Sequence, residues 1–222
     1  MPSSTVHLLR HGEVHNPAGV LYGRLPEFHL SERGRKMAEC VAEYFAERAH
    51  DGARIVYLAA SPLTRAQETA APTAAILGLE IAPEPRIIEA ENRFEGLRVN
   101  RNELAKPRHW RYLVNPFRPS WGEPYEQQAG RVLAAVADAA RIAVDRGGDG
   151  AEAILVAHQL PIWVTRLKVQ GRPLWHDPRM RECTLASLTS LTVDTASGAV
   201  VSLRYAEPAA ALLPGAATTP GA

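Results

Sequence analysis

Val6-His7-Leu8-Leu9-Arg10-His11-Gly12-Glu13 changes character halfway along. Val6 to Leu9 has the apolar content of a short strand, and Arg10-His11-Gly12-Glu13 follows with no turn-forming cluster between. In an open α/β sheet, ligands bind at the carboxyl ends of the strands, where loops leave the core and polar groups converge without being buried inside it. Arg10 offers a permanently charged fork suited to phosphate or carboxylate, and His11 an imidazole whose charge is adjustable near neutral pH. Gly12 allows close approach of a backbone. An ordinary surface Arg and His after an edge strand is the rival reading, and the rest of the chain decides between them.

Two further strand ends carry similar groups. Arg54 to Ala59 reads as a second buried strand, and Ser61-Pro62 as the N-cap and first position of a helix with Arg65 in its first turn. The exposed N–H groups and positive dipole end there favour an anion. The alternative for Arg65 is an i,i+3 pair with Glu68 on a solvated face. Ala153 to Ala157 is the most apolar strand candidate, and His158-Gln159-Leu160-Pro161 follows directly. A lone His there is more often structural, but with two equivalent positions the functional reading gains. Glu89 follows the apolar pair Ile87-Ile88, which sets it at the mouth of a site rather than on open surface.

The intervening chain alternates strand and helix. Ser31 predicts an N-cap for a helix carrying Met37, Val41, Tyr44 and Phe45 on one face and ending around Arg48 to Gly52. Pro72 is expected to kink or interrupt the second helix, Gly78 to close it, and Leu79 to Ile81 to start another strand. A long helix is predicted over Gln127 to Arg146, and a hairpin over Leu185 to Val193 and Val200 to Tyr205. One domain is expected over residues 1–206, with residues 207–222 a disordered tail. Between them, residues 97–125 read as an inserted cap with a short helix around Glu103 to Leu113. Trp110, Tyr112, Phe117 and Trp121 would form its small core. Arg98, Arg101, Lys106, Arg108, His109 and Arg111 are its candidates for substrate contact, with solvated charge the alternative for each.

In 222 residues, 25 Lys and Arg stand against 24 Asp and Glu, so bulk charge gives no argument for a nucleic-acid or membrane partner. Any anion preference must come from a local cluster. Cys40 and Cys183 lack the paired spacing of a metal site and read as free thiols in a reducing cytoplasm. No export signal is recognisable near Met1, and a soluble cytoplasmic protein is expected. The edge left by the terminal hairpin hints at a homodimer.

Leu9-Arg10-His11-Gly12-Glu13, Ser61-Pro62-Leu63-Thr64-Arg65-Ala66-Gln67-Glu68-Thr69, Glu89 with Phe94-Glu95-Gly96, and Val156-Ala157-His158 together resemble the histidine phosphatase (phosphoglycerate mutase-like) superfamily, from residue 6 to about 192. The resemblance implies a three-layer α/β/α sandwich with a mostly parallel central sheet, and catalysis through a phosphohistidine without metal or other cofactor. It implies His11 as nucleophile, Arg10, Arg65 and His158 as phosphate pocket, Glu89 as proton donor and Asn16 as a phosphate-contacting residue. Three departures are visible. The segment between Arg10-His11-Gly12 and Asn16 is one residue short. The spacing from Glu89 to Glu95-Gly96 is also short, which leaves Glu91 as a second donor candidate. Gln159 stands where the family usually has Gly, and either bonds substrate or narrows the pocket. The implied activity is hydrolysis of a small phosphate ester with inorganic phosphate as product. A phosphoglycerate mutase and a non-catalytic phosphate-binding regulator are the alternatives.

Overall fold

The computed structural model describes residues 2–99, 103, 106–110 and 122–217. Its strands are β1 (Ser3–Arg10), β2 (Ile55–Ala60), β3 (Ile81–Pro83), β4 (Glu152–Ala157), β5 (Leu188–Asp194) and β6 (Val200–Ala206). They form one sheet in the order β3-β2-β4-β1-β5-β6. The pairs β3–β2, β2–β4 and β4–β1 are parallel, and β5, antiparallel to both β1 and β6, runs opposite to the other strands. The helices are α1 (Glu32–His50), α2 (Thr64–Leu77), α3 (Pro107–Trp110), α4 (Tyr125–Gly147) and α5 (Gln159–Val169).

Alternation along the central strands separates two cores. Val6, Leu8, Ala153, Leu155 and Ala157 face α4 and α5 with Val132, Val136, Ala140 and Ile162. Leu9, Ile154 and Val156 face the other way, onto Met37, Val41 and Phe45 of α1 and Ala66 and Ala70 of α2. This period of two on strands buried on both sides makes the three-layer α/β/α sandwich. Full burial of side chains such as Leu8, Leu155 or Phe45 contributes about 1.5–3 kcal/mol each.

Local signals set the ends of most elements. Ser31 caps α1 by accepting from Gly34 N at 2.9 Å, and Gly78 closes α2 in the left-handed region at φ 65°. Two local signals are overridden here. Pro72 does not interrupt helix α2, which continues to Leu77, because one missing N–H does not outweigh the face that Ala66 and Ala70 bury against the sheet. Its N-cap is Leu63 rather than Ser61, whose hydroxyl lies 2.7 Å from His158 Nε2.

The tail is a larger departure. Through Ala217 it is ordered: Ala210–Leu212 form a short 3₁₀ turn, and Ala209, Leu212, Leu213 and Ala216 pack on the α1/α2 side of the core. Ala217 N donates to Glu13 Oε1 at 2.7 Å. The low-complexity composition hid a few well-spaced apolar contacts. Of the proposed cap, Arg101, Arg111, Tyr112, Phe117 and Trp121 lie outside the described residues. Within them, Lys106, Arg108 and His109 all engage Glu103, while Arg98 is exposed.

Candidate active site

Strand β4 lies between β2 and β1, so the three polar strand ends are neighbours. Arg10 pairs with Ala157 in register, His11 N donates to Ala157 O at 3.1 Å, and Ser61 N donates to Val156 O at 2.9 Å. The sheet ladder thereby fixes His11, Ser61 and His158 along one carboxyl edge. Arg10, His11, Arg65 and His158 are all buried, and the imidazole rings of His11 and His158 stand 5.2 Å apart.

Each of the four is held individually. His11 Nδ1 donates to the carbonyl of Gly12 at 2.8 Å, which leaves Nε2 facing away from its own backbone. Arg10 Nη1 donates to Cys183 O at 2.7 Å, and Arg65 Nη2 to Gly23 O at 2.6 Å. Nε2 of His158 lies 2.7 Å from Ser61 Oγ, while its Nδ1 is buried without a hydrogen-bond partner among the described residues. Burial holds both imidazoles well below the usual histidine pKa, reinforced by the Arg65 charge beside each and by Arg10.

Close backbone packing supports the nucleophile-bearing turn. A Cβ on Gly12 would come within 2.6 Å of Gly34 O, and one on Gly34 within 2.0 Å of Glu13 O. The backbone that Gly12 admits is therefore that of α1. Gly12 N donates to Thr69 Oγ1 at 3.1 Å, and that hydroxyl donates to Arg65 O at 2.7 Å, tying the turn to α2.

Glu89 is half-buried, and its Oε1 accepts from Ala90 N at 2.8 Å. Burial raises its pKa above the usual carboxyl value, opposed by that hydrogen bond and by Arg65, Arg181 and Arg10. Its segment is anchored on one side by Ile87, fully buried, and on the other by Arg24, whose Nε donates to Glu89 O at 2.7 Å. Arg24 also reaches Glu123, which is held twice by Arg131. Glu91, the second donor candidate, has its side chain 72% exposed and pairs with Arg24 at 2.9 Å, so it is committed to surface structure.

The remaining candidates behave differently. Asn16 is engaged with its own loop: Nδ2 donates to Val20 O at 2.8 Å and Oδ1 accepts from Val20 N at 3.2 Å. Gln159 Nε2 donates to Cys183 O at 3.2 Å, the carbonyl that also holds Arg10, and its Oε1 accepts from Arg181 Nη1 at 3.4 Å. Arg181 in turn donates through Nε to His176 Nε2 at 2.8 Å. Ser61, Tyr22 and Arg181 also lie near these groups, and only the first is marked by its place in the sequence. Ser61 had a signal, since it follows β2 as His158 follows β4; Arg181 was one charge in a basic run, and Tyr22 lay in a loop without periodicity.

The arrangement combines a desolvated neutral imidazole with one free ring nitrogen, buried guanidiniums, and a carboxyl biased toward its protonated form. Such a site can hold a phosphoryl group and move a proton beside it. Among the described residues, no group of three or more His, Cys, Asp or Glu is placed to hold a metal ion, and no helix is long and apolar enough to cross a membrane.

Known proteins share the sequence and fold of this chain. An uncharacterized protein of Mycobacterium tuberculosis strain H37Rv is 52% identical over 213 residues, covering 95% of this chain and 100% of that one. A solved structure named mycobacterial hydrolase 2 superposes with a TM-score of 0.70 at 25% identity, covering 93% and 89% of the two chains. The mycobacterial glucosyl-3-phosphoglycerate phosphatase Rv2419c, solved with inorganic phosphate, gives a TM-score of 0.67 at 24% identity, covering 93% and 95%; it shows the shared fold. The sequence pattern of the histidine phosphatase superfamily (branch 1) matches residues 6–205, and the chain belongs to that family.

Proposed function

We propose that this protein is a metal-independent phosphomonoesterase that hydrolyses a small phosphorylated metabolite through a phosphohistidine on His11. The observation that carries the reading is the tether of His11 Nδ1 to the Gly12 carbonyl within a pocket that contains Arg10, Arg65 and His158. It leaves the Nε2 lone pair for in-line attack on phosphorus. Arg10 and Arg65 take the charge of the equatorial oxygens. Ser61 Oγ accepts from Leu63 N at 3.4 Å and gives its own hydrogen to His158 Nε2, placing the ring proton on Nδ1 as a further phosphoryl donor. Gln159 supports Arg10 through Cys183 O, and Asn16 acts through the loop it closes.

In the first step a bond forms between His11 Nε2 and phosphorus while the ester P–O bond breaks. The proton of Glu89 passes to the departing alkoxide. In the second step the Glu89 carboxylate takes a proton from water, whose oxygen attacks phosphorus and breaks the P–N bond, releasing inorganic phosphate and restoring both residues. A bound dianionic phosphoryl group favours protonated Glu89 in the first step. Cys40 and Cys183, both free, suit a reducing cytoplasm.

Release of inorganic phosphate from an aryl phosphate tests the reading, with His11→Ala as control. Wild-type release with loss of at least about 1,000-fold in the variant is expected. Equal activity in the two proteins removes His11 as nucleophile. Isomerisation of 3-phosphoglycerate with negligible phosphate release identifies a mutase instead, and phosphate binding without turnover identifies a regulator.

A further inference from the structure

Tyr22 carries a hydroxyl that nothing among the described residues satisfies. The residue is 1% exposed, and its Oη has no hydrogen-bond partner among the described residues. A buried hydroxyl without a partner is destabilising and uncommon in folded proteins. Its position is nevertheless well defined. The ring stacks on Phe28 at 5.1 Å and meets His11 edge-on at 6.4 Å, while the Arg65 guanidinium lies 4.7 Å from its centroid. Arg65 also bonds the carbonyl of the next residue, Gly23, so both the ring and its backbone are tied to that guanidinium.

The charges that act on the hydroxyl are those of Arg10, Arg65 and Glu89, the groups that bound the phosphoryl pocket. Burial pushes its acidity up to about 12, so it remains an O–H donor at any working pH. A fixed donor with an unused hydrogen beside two guanidiniums matches one kind of acceptor, an anionic oxygen brought by a ligand.

We propose that Tyr22 is a substrate-binding residue whose O–H donates to a phosphoryl oxygen of the bound ester. The proposal rests on the phosphatase reading above. It makes the free enzyme tolerate an orphan hydroxyl that ligand binding satisfies, so function and stability pull in opposite directions at this position.

Tyr22→Phe keeps the ring, the stacking and the contact with Arg65 while removing the oxygen. With an aryl phosphate, kcat/KM is expected to fall about 10- to 100-fold, the scale on which one preorganised donor acts. Inhibition by orthovanadate should weaken by a comparable factor, and the melting temperature of the ligand-free variant should equal or exceed that of wild type. Turnover and vanadate inhibition within twofold of wild type would overturn the proposal. So would a lower melting temperature of the free variant, because the hydroxyl would then have a structural partner. Should wild type release no phosphate, the phosphatase reading falls by itself. Calorimetric titration of both proteins with inorganic phosphate then decides Tyr22: weaker binding by the variant supports the proposal and equal binding overturns it.

Discussion

The rings of His11 and His158 stand 5.2 Å apart with their planes at 59°, and each is anchored through a different nitrogen, Nδ1 to Gly12 O and Nε2 to Ser61 Oγ. Two adjacent imidazoles beside buried guanidiniums can coexist only as neutral rings, and their anchors, one donating through Nδ1 and one accepting at Nε2, select the same tautomer with the proton on Nδ1. Nitrogen-15 NMR of histidine-labelled protein should show His11 protonated on Nδ1 and His158 on Nδ1 of a ring whose Nε2 accepts from serine. Both should remain neutral well below pH 6.5, the ordinary histidine value of about that size. A His11 signal titrating at or above that value would remove the basis for nucleophilic attack.

The pH profile of kcat/KM follows from the two shifted groups. His11 works neutral, so its depressed pKa places the acid limb below the ordinary histidine range. Glu89 works protonated in the first step, so activity is lost as pH rises through its raised pKa. Arg181 favours the Glu89 carboxylate. Removing that charge in Arg181→Gln raises the Glu89 pKa further and should move the alkaline limb to higher pH. A limb that stays put, or moves down, would exclude Glu89 as the proton donor.

The contact of Gly12 and Gly34 predicts a coupled loss. Gly34→Ala places a Cβ about 2.0 Å from the carbonyl oxygen of Glu13, a backbone atom that cannot rotate away. Overpacking of this kind costs about 1–3 kcal/mol. Relief requires α1 to shift from the turn bearing His11, so kcat should fall at least about tenfold, because positioning errors of that order are costly at a reacting centre. Urea denaturation and aryl phosphate turnover check both; unchanged turnover would mean the turn is fixed independently of α1.

What the sequence disclosed depended on how local each signal is. The strand-end motifs were legible because a switch from apolar to charged residues needs no partner to be noticed, and Arg10, His11, Arg65 and His158 come together as the sheet order requires. The apolar pair before Glu89 favours it over Glu91 from sequence, whereas the pairing of exposed Glu91 with Arg24, which also bonds Glu89 O, involves a residue from another loop and has no local signal. Tyr22 has no local signal, since its hydroxyl is distinguished only by burial without a partner among the described residues, and the ordered tail rests on a few apolar residues packed in the same core as α1 and α2. Pro72 shows the opposite error, a strong local rule overridden by tertiary packing.

At the amino ends of the strands, far along the sheet from this pocket, a second buried polar group makes a contrasting prediction. Glu152, its side chain 11% exposed, accepts from His7 Nε2 at 2.9 Å and from Arg48 at 2.5 Å, and His7 Nδ1 lies 2.8 Å from Ser190 Oγ. Burial alone would raise the Glu152 pKa, but the His7 and Arg48 contacts outweigh it and hold the carboxyl below its usual value. A depressed folded-state pKa stabilises the protein above the unfolded value of about 4.3, and that stability is lost as pH falls through the folded value. Glu152→Gln should therefore cost about 1–3 kcal/mol at pH 7, with the deficit shrinking in acid. Its kcat should match wild type, since β4 carries this end and the site at opposite termini. Urea denaturation at pH 7 and in acid measures the difference, and a deficit independent of pH would show that the charge of Glu152 is not what matters.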